Sequence, residues 1–242
     1  MKALKVLSAV ALVALMSACG TKELVLDYTN LKMNHGDTQT VAVMNSTNPC
    51  TWTIGDVNVA TIKQDNGLKN DVTAVHVGET AVTITDSKGA KATLVVTVES
   101  KYNLFKQPDL SLIGKTRADV IAVFGEPLVD QNNENGVAIG YADEKTGVYT
   151  FFGFEDGVVA YIQVAMGVNS QEALDNFFNF LEEYYYLIRT TQSGKIYADA
   201  TELEKATYVA TAMYSSGAAR ATYFKYEAEA GAPQNAPALK LF

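Results

Sequence analysis

Ala81-Val82-Thr83-Ile84-Thr85, the segment Asp86-Ser87-Lys88-Gly89, and Leu94-Val95-Val96-Thr97-Val98 together decide the fold of the first half of this chain. Val82 and Ile84 share one parity, while Ala81, Thr83 and Thr85 share the other; Leu94, Val96 and Val98 repeat the pattern. A strand turns successive side chains to opposite faces, so a period of two predicts two strands with one buried and one solvated face. Asp, Ser and Gly between them supply turn chemistry. The alternation extends over residues 24–98, and short strands at this spacing predict an all-β sandwich. Cys50, Trp52 and Ile54 share a parity and are expected in its core.

Toward the N-terminus the pattern gives way to a leader. Lys2 and Lys5 precede an apolar run, Val6 to Met16, interrupted only by Ser8, and small residues follow. This is the pattern of a secretory signal peptide, predicted for residues 1–18. The run is shorter than the roughly 20 residues that span a bilayer. Met16-Ser17-Ala18-Cys19 resembles the bacterial lipobox, with Met16 where leucine is usual. The resemblance implies cleavage after Ala18, diacylglycerol on the Cys19 sulfur and a further acyl chain, such as palmitate, on the new amine. Residues 19–23 then form a lipidated tether. Two or three chains anchor stably because each buried methylene contributes about 0.8 kcal/mol. Gly20 stands where Asp marks inner-membrane retention, so the resemblance implies the outer membrane. Whether the chain faces the periplasm or the cell surface stays open.

With Cys19 acylated, Cys50 is the remaining cysteine, and an intramolecular disulfide is excluded. Stability then rests on the apolar core. The formal charge is −8, and it becomes −10 once Lys2 and Lys5 leave with the leader. That balance argues against nucleic acid or anionic lipid as a partner.

Aromatic residues divide the chain in two. Of 24 Trp, Tyr and Phe residues, only Tyr28 and Trp52 precede residue 101. The expected organisation is a β domain over residues 24–99, an α+β domain over 101–228 and a disordered Ala/Pro/Gly tail over 229–242. In the first domain, Leu31-Lys32-Met33 before Gly36-Asp37, then Trp52, Val59-Ala60-Thr61-Ile62 and Gly78-Glu79-Thr80-Ala81-Val82-Thr83-Ile84 resemble the group 2 bacterial Ig-like domain. That is the module of invasin- and intimin-type surface proteins. The likeness implies a spacer or adhesion unit without a catalytic site. His35 and His76 fall in separate segments with no ligand-spaced companion, so no metal site is expected there.

The second domain opens with a capped helix over residues 112–127. Thr116 and Asp119 form an approximate capping box, Val120, Ile121 and Phe124 an apolar stripe, and Gly125 with Pro127 a stop. Strands are predicted over 136–142, 147–154 and 158–166, the last two joined by Glu155-Asp156-Gly157. Gly114-Lys115-Thr116-Arg117-Ala118-Asp119-Val120 followed by Phe124-Gly125-Glu126-Pro127 is similar to the helix-and-turn signature of SmpA/OmlA-type (BamE-like) lipoproteins. Those proteins assist outer-membrane barrel assembly and have a fold related to β-lactamase inhibitor proteins. Ser170 caps a second predicted helix with Leu174, Phe177, Phe178, Leu181, Tyr185 and Ile188 at helical spacing. Strands over 195–200, 206–214 and 219–227 follow. Helix-plus-three-strands, twice, predicts one antiparallel sheet with both helices on one face.

Catalysis finds little support. Residues 101–242 contain no His or Cys, no Gly-rich phosphate loop and no nucleophile elbow. Asp143, Glu144, Glu155, Asp156, Glu182 and Glu183 read as solvated acids on turns and helix surfaces. Asp130 to Gly136 fails the calcium-loop pattern at Asn135 and Tyr141 and reads as a turn. No cofactor is implied. The expected role is non-catalytic binding or adhesion, with an unknown protein or glycan as partner and the membrane engaged through lipid. The alternative is an outer-membrane assembly or scaffold factor facing the periplasm. In Val148-Tyr149-Thr150-Phe151-Phe152-Gly153-Phe154 both parities carry aromatics. Tyr149, Phe151 and Tyr161 are therefore the candidates for the uncovered side of the sheet.

Overall fold

The computed structural model describes residues 23–133 and 136–226. The leader, Cys19 with most of its tether, and the tail lie outside those residues. The protein is β-rich, with antiparallel pairing dominant and two α-helices.

The N-terminal half contains β1 (Asn30–Asn34), β2 (Thr38–Ala42), β3 (Cys50–Ile54), β4 (Ala60–Ile62), β5 (Lys69–Ala74), β6 (Gly78–Asp86) and β7 (Lys91–Glu99). They form a four-stranded sheet, β1-β7-β6-β3, and a three-stranded one, β2-β5-β4. Both contribute to one apolar core that includes Val41, Trp52, Val72, Val82, Ile84, Leu94 and Val96. Thr83 and Thr85 of β6 face outward, as the alternation requires, while Thr80 shares the buried parity of Val82 and Ile84. Asp86 Oδ1 accepts the Lys88 and Ala90 amides, and Gly89 takes a positive φ of 85°, which closes the β6–β7 turn. Trp52 is 2% exposed, and its indole N–H donates to the Gly67 carbonyl at 2.8 Å. Cys50 is buried beside it, and burial pushes its thiol pKa up.

The C-terminal half begins with a 3-10 turn, Leu110–Leu112, and α1 (Arg117–Phe124). The Thr116 side chain accepts the Asp119 amide, and the Asp119 carboxylate accepts the Thr116 amide, a reciprocal capping box. Gly125 ends the helix at φ 84°. Next come β8 (Val129–Asn133), β9 (Gly136–Asp143), β10 (Val148–Glu155) and β11 (Val158–Gly167), then α2 (Gln171–Glu182) with Ser170 as its cap. The last four strands are β12 (Tyr186–Thr190), β13 (Gly194–Ala198), β14 (Tyr208–Ser215) and β15 (Ala218–Lys225). One eight-stranded sheet results, ordered β12-β13-β14-β15-β11-β10-β9-β8. Two four-strand meanders meet where β11 pairs antiparallel with β15, Tyr161 opposite Phe224. Two tight hairpins use the same turn, with positive φ at Asp156-Gly157 and at Ser216-Gly217.

Both helices pack on one face. Phe177, Phe180 and Leu181 of α2 bury against Tyr197, Ala210, Ala212, Ala219, Ala221 and Tyr223. Alanines on β14 and β15 leave room for these rings, each contributing about 1.5–3 kcal/mol on burial. Under α1, Val120 meets Ile139, Phe152, Val159 and Ile162.

Three expectations need correction. Four strands follow each helix, since β8 and β12 add to the three expected. Asp130 to Asn133 forms an edge strand instead of a turn, and Asp130 receives both Arg117 guanidinium nitrogens at 2.8 and 2.6 Å. α2 stops at Glu182, so Tyr185 lies in the link and Ile188 in a strand.

Glu183 is a further departure from expectation: it is 2% exposed, not solvated. Its carboxylate accepts the Ser100 hydroxyl at 2.5 Å and the Lys101 amide at 2.8 Å. Its carbonyl accepts the Val77 amide at 2.8 Å. Glu183 thus ties the end of α2 both to Ser100 and Lys101, after β7, and to Val77 of the N-terminal half.

Candidate functional site

The face of the eight-stranded sheet opposite the helices is built from alternate residues of each strand. Register fixes which ones. On β11, Ile162 and Val164 are buried in the helix-side core, so Tyr161, Gln163 and Ala165 turn to the other side. Cross-strand pairing carries that parity outward: Gly153 opposes Tyr161, and Phe151 opposes Gln163 and Gly140. Tyr149 opposes Ala165 and Ala142. Toward β12, Phe224, Thr222 and Arg220 oppose Tyr161, Gln163 and Ala165, with Val209, Thr211 and Met213 beyond them. All three sequence-predicted residues, Tyr149, Phe151 and Tyr161, therefore lie on the uncovered face.

Glycines shape the aromatic band. A Cβ at Gly140 would collide with the Phe151 ring, and one at Gly153 with the Tyr161 ring. The rings thus lie over bare backbone on the neighbouring strand and shield it. Tyr149 and Phe151 run parallel, 10° apart in plane with centroids at 6.2 Å. Tyr161 approaches Phe224 at 6.2 Å. Tyr149 is the most open of the three candidates at 44% exposure, whereas Phe151 and Tyr161 are half-buried. Between Tyr149 and Phe151 on one side and Gln163, Gly167, Ala218 and Arg220 on the other runs an open groove of about 470 Å³. Gln163 Nε2 donates to Thr222 Oγ1 at 3.0 Å, and Arg220 Nη1 to Ser215 Oγ at 2.9 Å. This arrangement can make broad apolar contact, with an amide, phenols and a guanidinium fixing orientation.

Phe224, Gln163 and Arg220 were missed as site residues. The signal was present, because a strand whose Ala219, Ala221 and Tyr223 face a core must turn Arg220 and Phe224 the other way.

A second cluster lies where the N-terminal and C-terminal halves meet. His35 and His76, from separate segments, stack with centroids 6.2 Å apart, and the Tyr186 ring meets His76 edge-on at 4.2 Å. His76 Nδ1 faces the Asn58 carbonyl at 3.0 Å, His35 Nδ1 faces the Val75 carbonyl, and the Tyr186 hydroxyl donates to Asn58 Oδ1 at 3.1 Å. Burial lowers the His76 pKa, the Asn58 carbonyl opposes that shift, and neighbouring His35 adds to it. Among the described residues, no group of three or more His, Cys, Asp or Glu side chains is placed to hold a metal.

No protein-family model and no curated protein matches the chain. Among solved structures, the chain is similar to a Bacteroides ovatus GH5 xyloglucanase in complex with a XXXG heptasaccharide. The likeness is at 16% identity and a TM-score of 0.28, over 42% of this chain and 24% of that one. The overlap spans about a quarter of the enzyme, and a likeness this low carries no argument about fold or activity.

Proposed function

We propose that this is an exported lipoprotein, anchored through Cys19, whose C-terminal domain captures a protein on the uncovered face of its eight-stranded sheet. In this reading the first domain is an Ig-like spacer. The second is an SmpA/OmlA-like unit in which a helix and four strands occur twice. The observation that carries the reading is the aromatic band of Tyr149, Phe151, Tyr161 and Phe224 on a face without helices. Apolar faces of this kind are rare on monomers unless they bind something, and Tyr, Phe, Met and Arg are favoured interface residues. The open aromatic part of the face runs over β15, β11, β10 and β9, about 15 Å at the usual strand spacing, whereas toward β12 Ala198, Val209 and Thr211 are buried and the Tyr186 ring packs on His76.

A photo-crosslinking residue at Gln163, compared with one at Asp175 on exposed α2, tests the reading in intact cells. A discrete protein adduct from position 163 and none from 175 is expected. Adducts from 175 alone, or retention on cell-wall polysaccharide without a protein adduct, would replace it. Protease treatment of intact cells then separates a surface-displayed binder from a periplasm-facing assembly or scaffold factor, since only the former is cut.

A further inference from the structure

The sequence contains three arginines, at positions 117, 189 and 220. Arg117 is held by the Asp130 carboxylate. The other two belong to the uncovered face. Arg220 opposes Ala165 and Met213, and Arg189 opposes Ile196, whose neighbour Tyr197 points into the helix-side core. Neither forms an ion pair among the described residues; Arg220 donates only to the Ser215 hydroxyl.

Other charges are scarce on this face. Lys195 has the opposite parity and binds Glu182 of α2 at 2.9 Å. Lys225 follows Phe224 and likewise points away. Glu155 is the acidic strand residue with uncovered-face parity, and it sits at the end of β10, opposite Val158. A chain of formal charge −8 therefore presents, on one face, two guanidiniums without carboxylates and one peripheral acid. The sign of this face is opposite to that of the molecule.

Resting on the reading above, we propose that the partner is a protein whose docking surface is apolar on one side and acidic on the other. Its carboxylates would meet Arg189 on β12 and Arg220 on β15, while its apolar side covers Tyr149, Phe151 and Tyr161 on the adjoining β10 and β11. Three strand spacings and one two-residue step separate the arginines, which sets the acidic groups about 15 Å apart. Arginine suits the task because its weakly hydrated fork pairs with carboxylates in two-point fashion. The negative remainder of the chain repels an acidic partner elsewhere, so orientation is selected at encounter.

Retention of the full chain on immobilised poly(Glu,Tyr) and poly(Lys,Tyr) copolymers, near 0.15 M salt, tests this. Retention on the acidic copolymer, weakened by added salt, is expected. Arg189→Glu with Arg220→Glu should reduce it about tenfold or more, while the Lys replacements should retain most of it. Both arginines are on the open face, so thermal unfolding of these variants reports that folding is intact. Equal or stronger retention on poly(Lys,Tyr), or an acidic-copolymer response untouched by the Glu variants, would overturn the inference. If Tyr149→Ser with Tyr161→Ser weakens both copolymers alike while the arginine variants change nothing, the face binds without acidic preference and only this inference falls. If neither pair alters retention, the binding face itself falls with it.

Discussion

His76, on the connection between β5 and β6, meets the edge of the Tyr186 ring at 4.2 Å, and through that contact the N-terminal half rests against the first residue of β12. With Glu183 bridging Ser100, Lys101 and Val77, the two halves of the chain share a polar joint beside the link between them.

Acid should loosen this joint. His76 has a lowered pKa in the folded protein, with burial as the main cause, so the unfolded or undocked chain binds a proton more readily than the docked one. Its contribution is fully present above about pH 6.5 and is lost as pH falls through the lower folded value. The groups facing it are His35, Asp56 and Tyr186. Thermal unfolding of the full chain from pH 7.5 to 5 should show a loss that His76→Gln reduces. An identical pH response in the variant would refute the assignment.

Glu183→Ala removes the acceptor for two donors and leaves them without a partner in a buried joint. A loss of about 1–3 kcal/mol is expected in denaturant unfolding. Because the N-terminal half keeps a core separate from those beneath α1 and α2, the transition should also divide into two steps. A single step of unchanged midpoint would show that the joint contributes nothing.

Much of this architecture was legible beforehand, for reasons that differ by element. β6 and β7 were readable because one solvated face enforces strict alternation, and α1 because Thr116 and Asp119 are three apart. β8 was not. Asp130, Gln131, Asn132 and Asn133 are turn formers by composition, and only pairing with β9 and the Arg117 fork make them an edge strand. β12 was hidden because Tyr185 and Ile188 continue the helical spacing of Phe177 and Leu181 past the true end of α2. Glu183 and the His35–His76 pair depend on contacts between residues far apart in sequence, which local patterns do not encode. Parity grouped Tyr149 with Phe151, but both parities of β10 carry aromatics, so which face is open followed only from where α1 and α2 pack, and Arg189 required the register of an unrecognised strand.

Burial separates the aromatics of β10 and β11. Phe152 is 1% exposed in the core under α1, so Phe152→Ala should cost about 3–5 kcal/mol. Tyr149→Ser should cost the least, about 0.5–1 kcal/mol, because the side chain is 44% exposed and touches Phe151 on one side only. Tyr161→Ser should fall between them, since that ring shields Gly153. Chemical denaturation of the three variants gives the order directly, and equal losses would mean the uncovered face is packed like a core.

The buried Cys50 thiol should resist alkylation in the folded chain, since its raised pKa suppresses the thiolate. Cys50→Ala should cost about 1–3 kcal/mol, as for a small core truncation. Rapid modification under native conditions would contradict the packing beside Trp52.

The binding role of the uncovered sheet face is tested most directly by the adduct formed from a photo-crosslinker at Gln163 in intact cells. Its yield is compared between the otherwise wild-type chain and one carrying Tyr149→Ser and Tyr161→Ser, at matched abundance and with folding verified by thermal unfolding. Loss of the adduct in a folded, equally abundant variant is the predicted result; an adduct of undiminished yield would contradict it.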